Sequence, residues 1–248
     1  MLGGVLAFNA GALNAGGFLA LHMYTSHMSG FASMLADNLF DGNPALLLAA
    51  LGALLSFASG AGVAAVLINW GWQHHLRSAF ALPLLLEAAL ILAFGVTGDA
   101  TLRRSTPFAV PFTVLLLAFT MGLQNAMAAK LSRGQIRTTH VTGTVTDLGI
   151  ELGKMLYWNR MGTPPESRVR ANRLKLRLHG MLLAMFILGG VVGAAGFRKV
   201  GFGWVLPLAL LLLLLCLPPV LHDLRRVAQR RWQARGRRRD PLRDRPPG

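Results

Sequence analysis

Residues 202–222, FGWVLPLALLLLLLCLPPVLH, contain none of the four charged residue types. A run of this length can cross the hydrocarbon core of a bilayer, which takes about 20 helical residues. Five further stretches are comparably apolar, with Glu87 as their one charged residue: 1–36, 42–76, 78–98, 105–129 and 178–197. Because lipid cannot satisfy backbone hydrogen bonds, each block should be a helix. The sequence therefore predicts an all-α, polytopic membrane protein with about six transmembrane helices.

The composition and the charge balance agree with this class of protein. Hydrophobic residues make up 53% of the chain and charged residues only 14%, against roughly 25% charged in soluble proteins. The net charge of +15 would suggest nucleic acid in a soluble protein. With six spans, however, 21 of the 25 Lys and Arg residues fall on one side of the membrane, the pattern of cytoplasmic loops. We therefore expect a multi-pass bacterial inner (cytoplasmic) membrane protein with both termini in the cytoplasm and no nucleic-acid partner.

Two remaining segments do not suit a lipid-facing span. Residues 26–39 are apolar but only 14 long, and residues 138–158 carry Asp147, Glu151 and Lys154. Each is predicted to be a Gly-broken or re-entrant helix, which is tolerated at membrane depth where protein or a cavity covers it. If both segments also crossed the membrane, the count would be eight, and the termini would still face the cytoplasm.

The C-terminal segment differs from the rest of the chain. Residues 223–248 contain ten Arg and three Pro and few apolar residues, a composition typical of disorder. The sequence predicts a membrane domain over 1–222, followed by a basic disordered cytoplasmic tail. Contact of this tail with anionic lipid head groups is one interpretation, and a solvated charge run that anchors the topology is the other.

Short sequence elements occur twice in the same order. GALNA at 11–15 matches GLQNA at 122–126 at an offset of 111, and SHMSG at 26–30 matches THVTG at 139–143 at an offset of 113. Many transporters are built from internal repeats.

The matched elements predict two repeats, 1–98 and 107–222. Three spans in each repeat is an odd number, so the repeats should be inverted relative to one another. Four spans each would make them parallel.

The repeated elements concentrate polar groups in apolar segments, where they must face the protein interior or a water-filled cavity. We predict that a solute pathway lies among eleven of them: Asn14, His27, Ser29, Gly30, Gln124, Asn125, Thr139, His140, Thr142, Gly143 and Asp147. Helix N-termini at the two breaks would favour an anion, and Arg133 and Arg137 add positive charge at the second. The alternative is that these groups only hydrogen bond between helices.

Two acidic residues are candidates to carry a coupling proton. Glu87 lies in the middle of a predicted span, where a carboxylate is costly unless protonated or paired. Asp147 belongs to the run TGTVTD at 142–147. The alternatives are a buried hydrogen-bonding group for Glu87 and a solvated helix face for Asp147.

Enzyme signatures are missing from the sequence. It has no Gly-x-Ser-x-Gly, no His-Glu-x-x-His and no phosphate-binding Gly-rich loop. The single cysteine, Cys216, excludes a disulfide framework and a Cys-based metal site, and His27 with His140 alone would make a weak metal site. We predict no catalytic residue, no metal and no cofactor.

The motifs also resemble a known family. SHMSG after the first span, GLQNA, and RTTHVTGTVTDL at 137–148 resemble the YoaK-like bacterial inner-membrane proteins, the domain of unknown function 1275, over residues 1 to about 222. The resemblance implies a multi-span membrane protein of about six helices with no established substrate. That family usually has Asp where Asn14 stands, so this chain lacks a titratable group there.

Two functions remain open from the sequence. The first is a small-solute secondary transporter or permease-like protein, with its pathway between the two repeats. The second is a non-transporting membrane scaffold or regulatory protein that contacts lipid or a partner through its basic loops and tail.

Overall fold

The fold is all-helical in the computed structural model, which describes residues 2–76, 78–103, 109–159 and 164–239. Eight α-helices, two short 3₁₀ helices (Pro165–Ser167 and Gly201–Trp204) and no strand occur in these ranges. The α-helices are α1 (Leu2–Leu21), α2 (Met28–Asp41), α3 (Pro44–Gln73), α4 (Ala81–Arg103), α5 (Ala109–Leu131), α6 (Val141–Leu156), α7 (Arg173–Val200) and α8 (Val205–Arg239). The predicted fold class is confirmed.

Five stretches of the described chain are long and apolar enough to cross a membrane: Leu2–Leu21, Pro44–Gln73, Ala81–Ala100, Phe112–Leu131 and Arg173–Asp223. The last is 51 residues long and contains α7 together with the first half of α8. By contrast, α2 and α6 have 14 and 16 residues. At 1.5 Å per residue, neither reaches the roughly 30 Å of a bilayer core.

Helix α1 packs mainly against α7, and the two run in the same direction. Gly4 contacts Met181 near the start of both helices, while further along Gly11 lies against the carbonyl oxygen of Phe186. Reciprocally, Gly189 lies against the carbonyl oxygen of Phe8. Both glycines lack a Cβ, and this lets the two backbones touch at the crossing point.

The pair α3 and α5 repeats this crossing with equivalent residues. Gly60 lies against the carbonyl oxygen of Phe119, and Gly122 against that of Phe57. Further along, Lys130 Nζ donates a 2.7 Å hydrogen bond to Asn69 Oδ1, so these helices are also parallel. A Phe-x-x-Gly element thus occurs at all four positions, with offsets of 111 between α1 and α5 and 129 between α3 and α7.

The first helices of the two halves run in opposite directions. The Gln124 side chain of α5 donates to the Leu6 carbonyl near the start of α1 at 3.1 Å, whereas Leu117, near the start of α5, contacts Gly17 near the end of α1. This antiparallel register supports the predicted inverted arrangement of the repeats.

The last helices of the two halves, α4 and α8, are antiparallel as well. The Cys216 thiol faces the Ala81 carbonyl at 3.7 Å, while Gly98, near the end of α4, packs against the Phe202 ring. Eight membrane crossings would require these two helices to run in the same direction. Their register therefore favours six crossings.

The short helices begin beside the interior of the long ones. Helices α1 and α5 each end at a residue in the left-handed region, His22 and Arg133, both with φ of 55°. After His22 the chain turns back, and Ser26 Oγ donates a 3.0 Å hydrogen bond to Asn14 Oδ1, two turns inside α1. Helix α2 thus starts within the depth that α1 spans, which supports a re-entrant arrangement.

The tail differs from its prediction. Helix α8 continues to Arg239, so residues 223–239 are helical where the sequence predicted disorder. Arg, Ala and Gln are strong helix formers, and a composition criterion based on charge and low hydrophobicity overlooks this propensity. Residues 240–248 of the tail, and residues 107 and 108 at the predicted start of the second repeat, lie outside the described residues.

Candidate functional site

A cavity of about 1270 Å³ lies where the two halves meet. Its walls come from α1, α2, α3, α5, α6 and α7, together with the turns that precede the two short helices. Binding pockets for small molecules typically measure about 300–1000 Å³. The cavity is therefore large enough to hold an organic solute.

Most of the wall consists of residues in equivalent positions of the two halves. Eleven such pairs line the cavity: Gly11 and Gly122, Asn14 and Asn125, Ala15 and Ala126, Phe18 and Ala129, Tyr24 and Arg137, Ser26 and Thr139, His27 and His140, Met28 and Val141, Ser29 and Thr142, Phe57 and Phe186, and Ala61 and Gly190. Their sequence offsets are those of the matched motifs and of the Phe-x-x-Gly elements. The cavity thus follows from packing two similar halves against each other.

An asparagine holds the start of each short helix in place. In the first half this is the bond between Ser26 and Asn14. In the second half, Asn125 Nδ2 donates to Thr139 Oγ1 at 2.7 Å, and the Thr139 backbone N–H donates to Asn125 Oδ1 at 3.2 Å. The Asn-Ala element and the following hydroxyl residue therefore form one structural unit in each half.

The two histidines of the motifs occupy the N-cap positions of α2 and α6. The His27 ring lies over Gly30, where an added Cβ would be 2.7 Å from Nδ1, and an added Cβ on Gly143 would overlap the His140 ring. The His-x-x-Gly spacing is thus a steric requirement, because only glycine leaves room for the ring over the first turn. Both rings then face the cavity.

The structure brings seven of the eleven predicted pathway residues to the cavity wall: Asn14, His27, Ser29, Asn125, Thr139, His140 and Thr142. Gly30 and Gly143 lie directly behind the histidine rings. Gln124 is fully buried and accepts a 3.2 Å hydrogen bond from the Thr138 hydroxyl.

Asp147 lies elsewhere. Its carboxylate is 54% exposed, 3.6 Å from His179 Nε2 of α7, and it does not line the cavity. Two helical turns, about 10 Å along α6, separate Asp147 from His140. Its position in the motif run therefore does not bring it to the cavity wall.

Glu87 is fully buried behind the cavity rather than in its wall. Asn9 Nδ2 contacts its Oε1 at 3.4 Å, and the Gln124 side chain is a second hydrogen-bonding neighbour. Glu87 Oε2 and Asn9 Oδ1, both acceptors, have no hydrogen-bond partner. A proton on the carboxyl group would supply the missing donor.

The sequence reasoning missed part of the cavity wall. Phe57, Phe186 and Arg198 line it, together with His22 and Tyr24. The Phe-x-x-Gly elements in α3 and α7 carry a detectable signal for the two phenylalanines, because they share an offset of 129. Arg198 has no such signal, since its equivalent in the first half is Asn69. In the part of the chain that the structure describes, no group of three or more His, Cys, Asp or Glu side chains could hold a metal ion.

The long apolar helices define a polytopic helical membrane protein, with one cavity built by both halves. The chain belongs to the family described as protein of unknown function DUF1275, which matches residues 2–217. It is also similar to the UPF0700 transmembrane protein YoaK of Bacillus subtilis (strain 168), with 26% identity over 157 residues, which is 63% of this chain and 68% of that protein. No solved structure matches the chain.

Proposed function

We propose that this protein is a small-solute secondary transporter or permease, with its pathway through the cavity between the two halves. It lies in the bacterial inner membrane with both termini in the cytoplasm and is not an enzyme, and its basic loops and tail contact anionic lipid head groups. The observation that carries the proposal is the cavity of about 1270 Å³, lined by equivalent residues of both halves. In transporters with inverted repeats, the substrate site lies at the repeat interface, next to discontinuous helices.

Glu87 is the proposed proton-carrying group. It is connected toward the cavity through Gln124 and Thr138, which neighbours the wall residue Thr139. No Lys or Arg of the described chain forms an ion pair with it, so a proton is the simplest counter-charge for its carboxylate. Asp147, exposed and outside the cavity wall, is not included in this proposal.

The decisive experiment measures uptake of a panel of radiolabelled small solutes into proteoliposomes, under a proton or a sodium gradient. Ala61→Trp places an indole in the cavity and should abolish uptake. Ala58→Trp is the matched control, because Ala58 lies one turn away on α3, is exposed and does not line the cavity. Glu87→Gln should abolish gradient-driven uptake while leaving solute exchange intact.

Two results would contradict the proposal. One is that no solute moves under either gradient, while Asn14→Ala and Asn125→Ala leave the phenotype of the host unchanged. The other is that deletion of residues 223–248 removes the cellular function while the motif substitutions are tolerated. The second result would favour the scaffold or regulatory protein.

A further inference from the structure

The charged side chains of the cavity are all basic. Arg137 and Arg198 line it, and His22, His27 and His140 add ring N–H donors. No Asp or Glu is among the lining residues of the described chain. A low-dielectric cavity lined by charges of one sign concentrates ions of the opposite sign.

Neither arginine is neutralised by the protein. Within the described ranges, the side chains of Arg137 and Arg198 form no ion pair and no hydrogen bond. The two arginines therefore keep their donors available to a ligand.

The arginines also break the symmetry of the wall. Arg137 stands where the first half has Tyr24, and Arg198 where it has Asn69. Both charges come from the second half, although ten other pairs of wall residues occupy equivalent positions in the two halves. Packing of two similar halves explains the paired positions but does not account for these two charges.

Beside the polar motif residues, much of the wall is aromatic or aliphatic. Phe18, Phe57, Phe186 and Phe197 line the cavity with Leu19 and Ile187. An inorganic anion would leave most of this apolar surface without a partner, whereas a ligand with an apolar body would bury it. The guanidinium group binds a carboxylate through two parallel hydrogen bonds.

From this arrangement we infer that the cavity binds a small organic carboxylate with an apolar body, its carboxylate on Arg137 or Arg198 and its body against the phenylalanines. The inference rests on the proposed function for its physiological meaning, because it names the class of solute that the pathway would carry. Binding itself can be measured without transport.

The test is ligand-induced thermal stabilisation of the full-length protein in detergent. The probes are phenylacetate, benzoate and hexanoate, each compared with its amide and with inorganic phosphate. We expect at least one carboxylate to raise the unfolding temperature where its amide and phosphate do not. Replacing the arginine that holds the carboxylate, by Arg198→Gln or by Arg137→Gln, should weaken its binding about tenfold, the loss expected for a charge-assisted hydrogen bond.

Matched controls use neighbouring cations outside the cavity wall. Lys199 is adjacent to Arg198, and Arg133 lies four residues before Arg137; both side chains are exposed and neither lines the cavity. The control substitutions are Lys199→Gln and Arg133→Gln. Neither should change the affinity by more than about twofold. Arg198→Lys keeps the charge but loses the paired hydrogen bonds. The affinity of this variant should therefore fall between that of the unsubstituted protein and that of Arg198→Gln.

The inference is overturned if none of the three carboxylates stabilises the protein more than its amide, if phosphate binds as well as they do, or if neither Arg198→Gln nor Arg137→Gln weakens binding more than its neighbouring control does. Counterflow in proteoliposomes separates this result from the proposed function. Arginine-dependent binding without flux would contradict transport and keep the carboxylate site. Flux of a neutral solute without carboxylate binding would keep the transport function and contradict the carboxylate site.

Discussion

The His-x-x-Gly pair is the smallest unit of the site that the sequence repeats. In each half, the imidazole of the histidine at the N-cap position of a short helix lies over a glycine three residues later. This contact fixes the direction in which the ring points. Glycine usually weakens a helix by roughly 0.5–1 kcal/mol relative to alanine, so its use in the first turn indicates that the ring position outweighs helix propensity.

Gly143→Ala tests this contact. The new Cβ would overlap the His140 ring, so we expect a loss of about 1–3 kcal/mol, the usual cost of overpacking, measured by thermal unfolding. In the His140→Ala background the same substitution should be neutral or stabilising, because the ring is gone. Gly149→Ala is the control on the same helix, where an added Cβ meets nothing within 4 Å, and it should stabilise the protein. Equal losses at both glycines would show that the ring contact is not the cause.

At the scale of helices, the two parallel crossings set the shape of the cavity. Each Phe-x-x-Gly element places a glycine on the backbone of the partner helix, and two of their phenylalanines, Phe57 of α3 and Phe186 of α7, line the cavity from opposite halves. The separation of these helices therefore determines the width of the wall.

Gly60→Ala should push α3 away from α5. An added Cβ would overlap the Phe119 carbonyl oxygen, which belongs to a backbone and cannot rotate aside as a side chain can. We expect a loss of about 1–3 kcal/mol in thermal unfolding, together with impaired solute binding. Gly62→Ala on the same helix meets nothing within 4 Å and should leave both unchanged. If the two variants behaved alike, the close crossing would not be essential.

Helices α6 and α7 are joined by one carboxylate. Glu151 accepts the backbone N–H of Asn172 at 2.6 Å and Lys154 Nζ at 3.0 Å. The Asn172 N–H, and after it Lys154, hold the pKa of Glu151 below its usual value of 4.5. A carboxyl group with a lowered pKa stabilises the folded state above its unfolded-state pKa, and the contribution is lost as the pH falls through the folded-state value.

Glu151→Gln should therefore lower the unfolding temperature at pH 7, and the difference from the unsubstituted protein should shrink as the pH falls below about 4.5. The control is Glu166→Gln. Glu166 is an exposed residue in the loop between α6 and α7, and its substitution should leave the unfolding temperature unchanged at either pH. A difference that persisted unchanged to pH 3 would mean that the contact does not depend on ionisation.

The sequence predicts the helices well and their partners poorly. Charge-free runs define the long helices, and the short lengths of α2 and α6 are readable because bilayer thickness is a fixed scale. Nothing local in α1 indicates that it packs on α7, since that pairing depends on Gly11 meeting Phe186 across the fold. Asn14 and His140 were predictable as wall residues because their motifs are repeated. Arg198 was not, because the equivalent residue in the first half is Asn69.

At the scale of the whole molecule, the opposite directions of the two halves predict on which side of the membrane two loops lie. With six crossings and cytoplasmic termini, Asp41 faces the outside and Gln135 the cytoplasm; with eight, the two are exchanged. Both residues are exposed. In a Cys216→Ala background, a membrane-impermeant maleimide should label Asp41→Cys in intact cells and Gln135→Cys only after permeabilisation. The reverse labelling pattern would contradict six crossings with cytoplasmic termini.

The exchange of partners between the halves has a consequence for biosynthesis. Helix α1 leaves the ribosome well before α7, because the glycine that lies against its Phe8 carbonyl is Gly189, about 180 residues later. At 5–20 residues per second, α1 waits roughly 10 to 35 seconds in the bilayer before its main partner is made. A nascent chain stalled before α7 therefore lacks the main partner of α1, and it should be a substrate for membrane quality control.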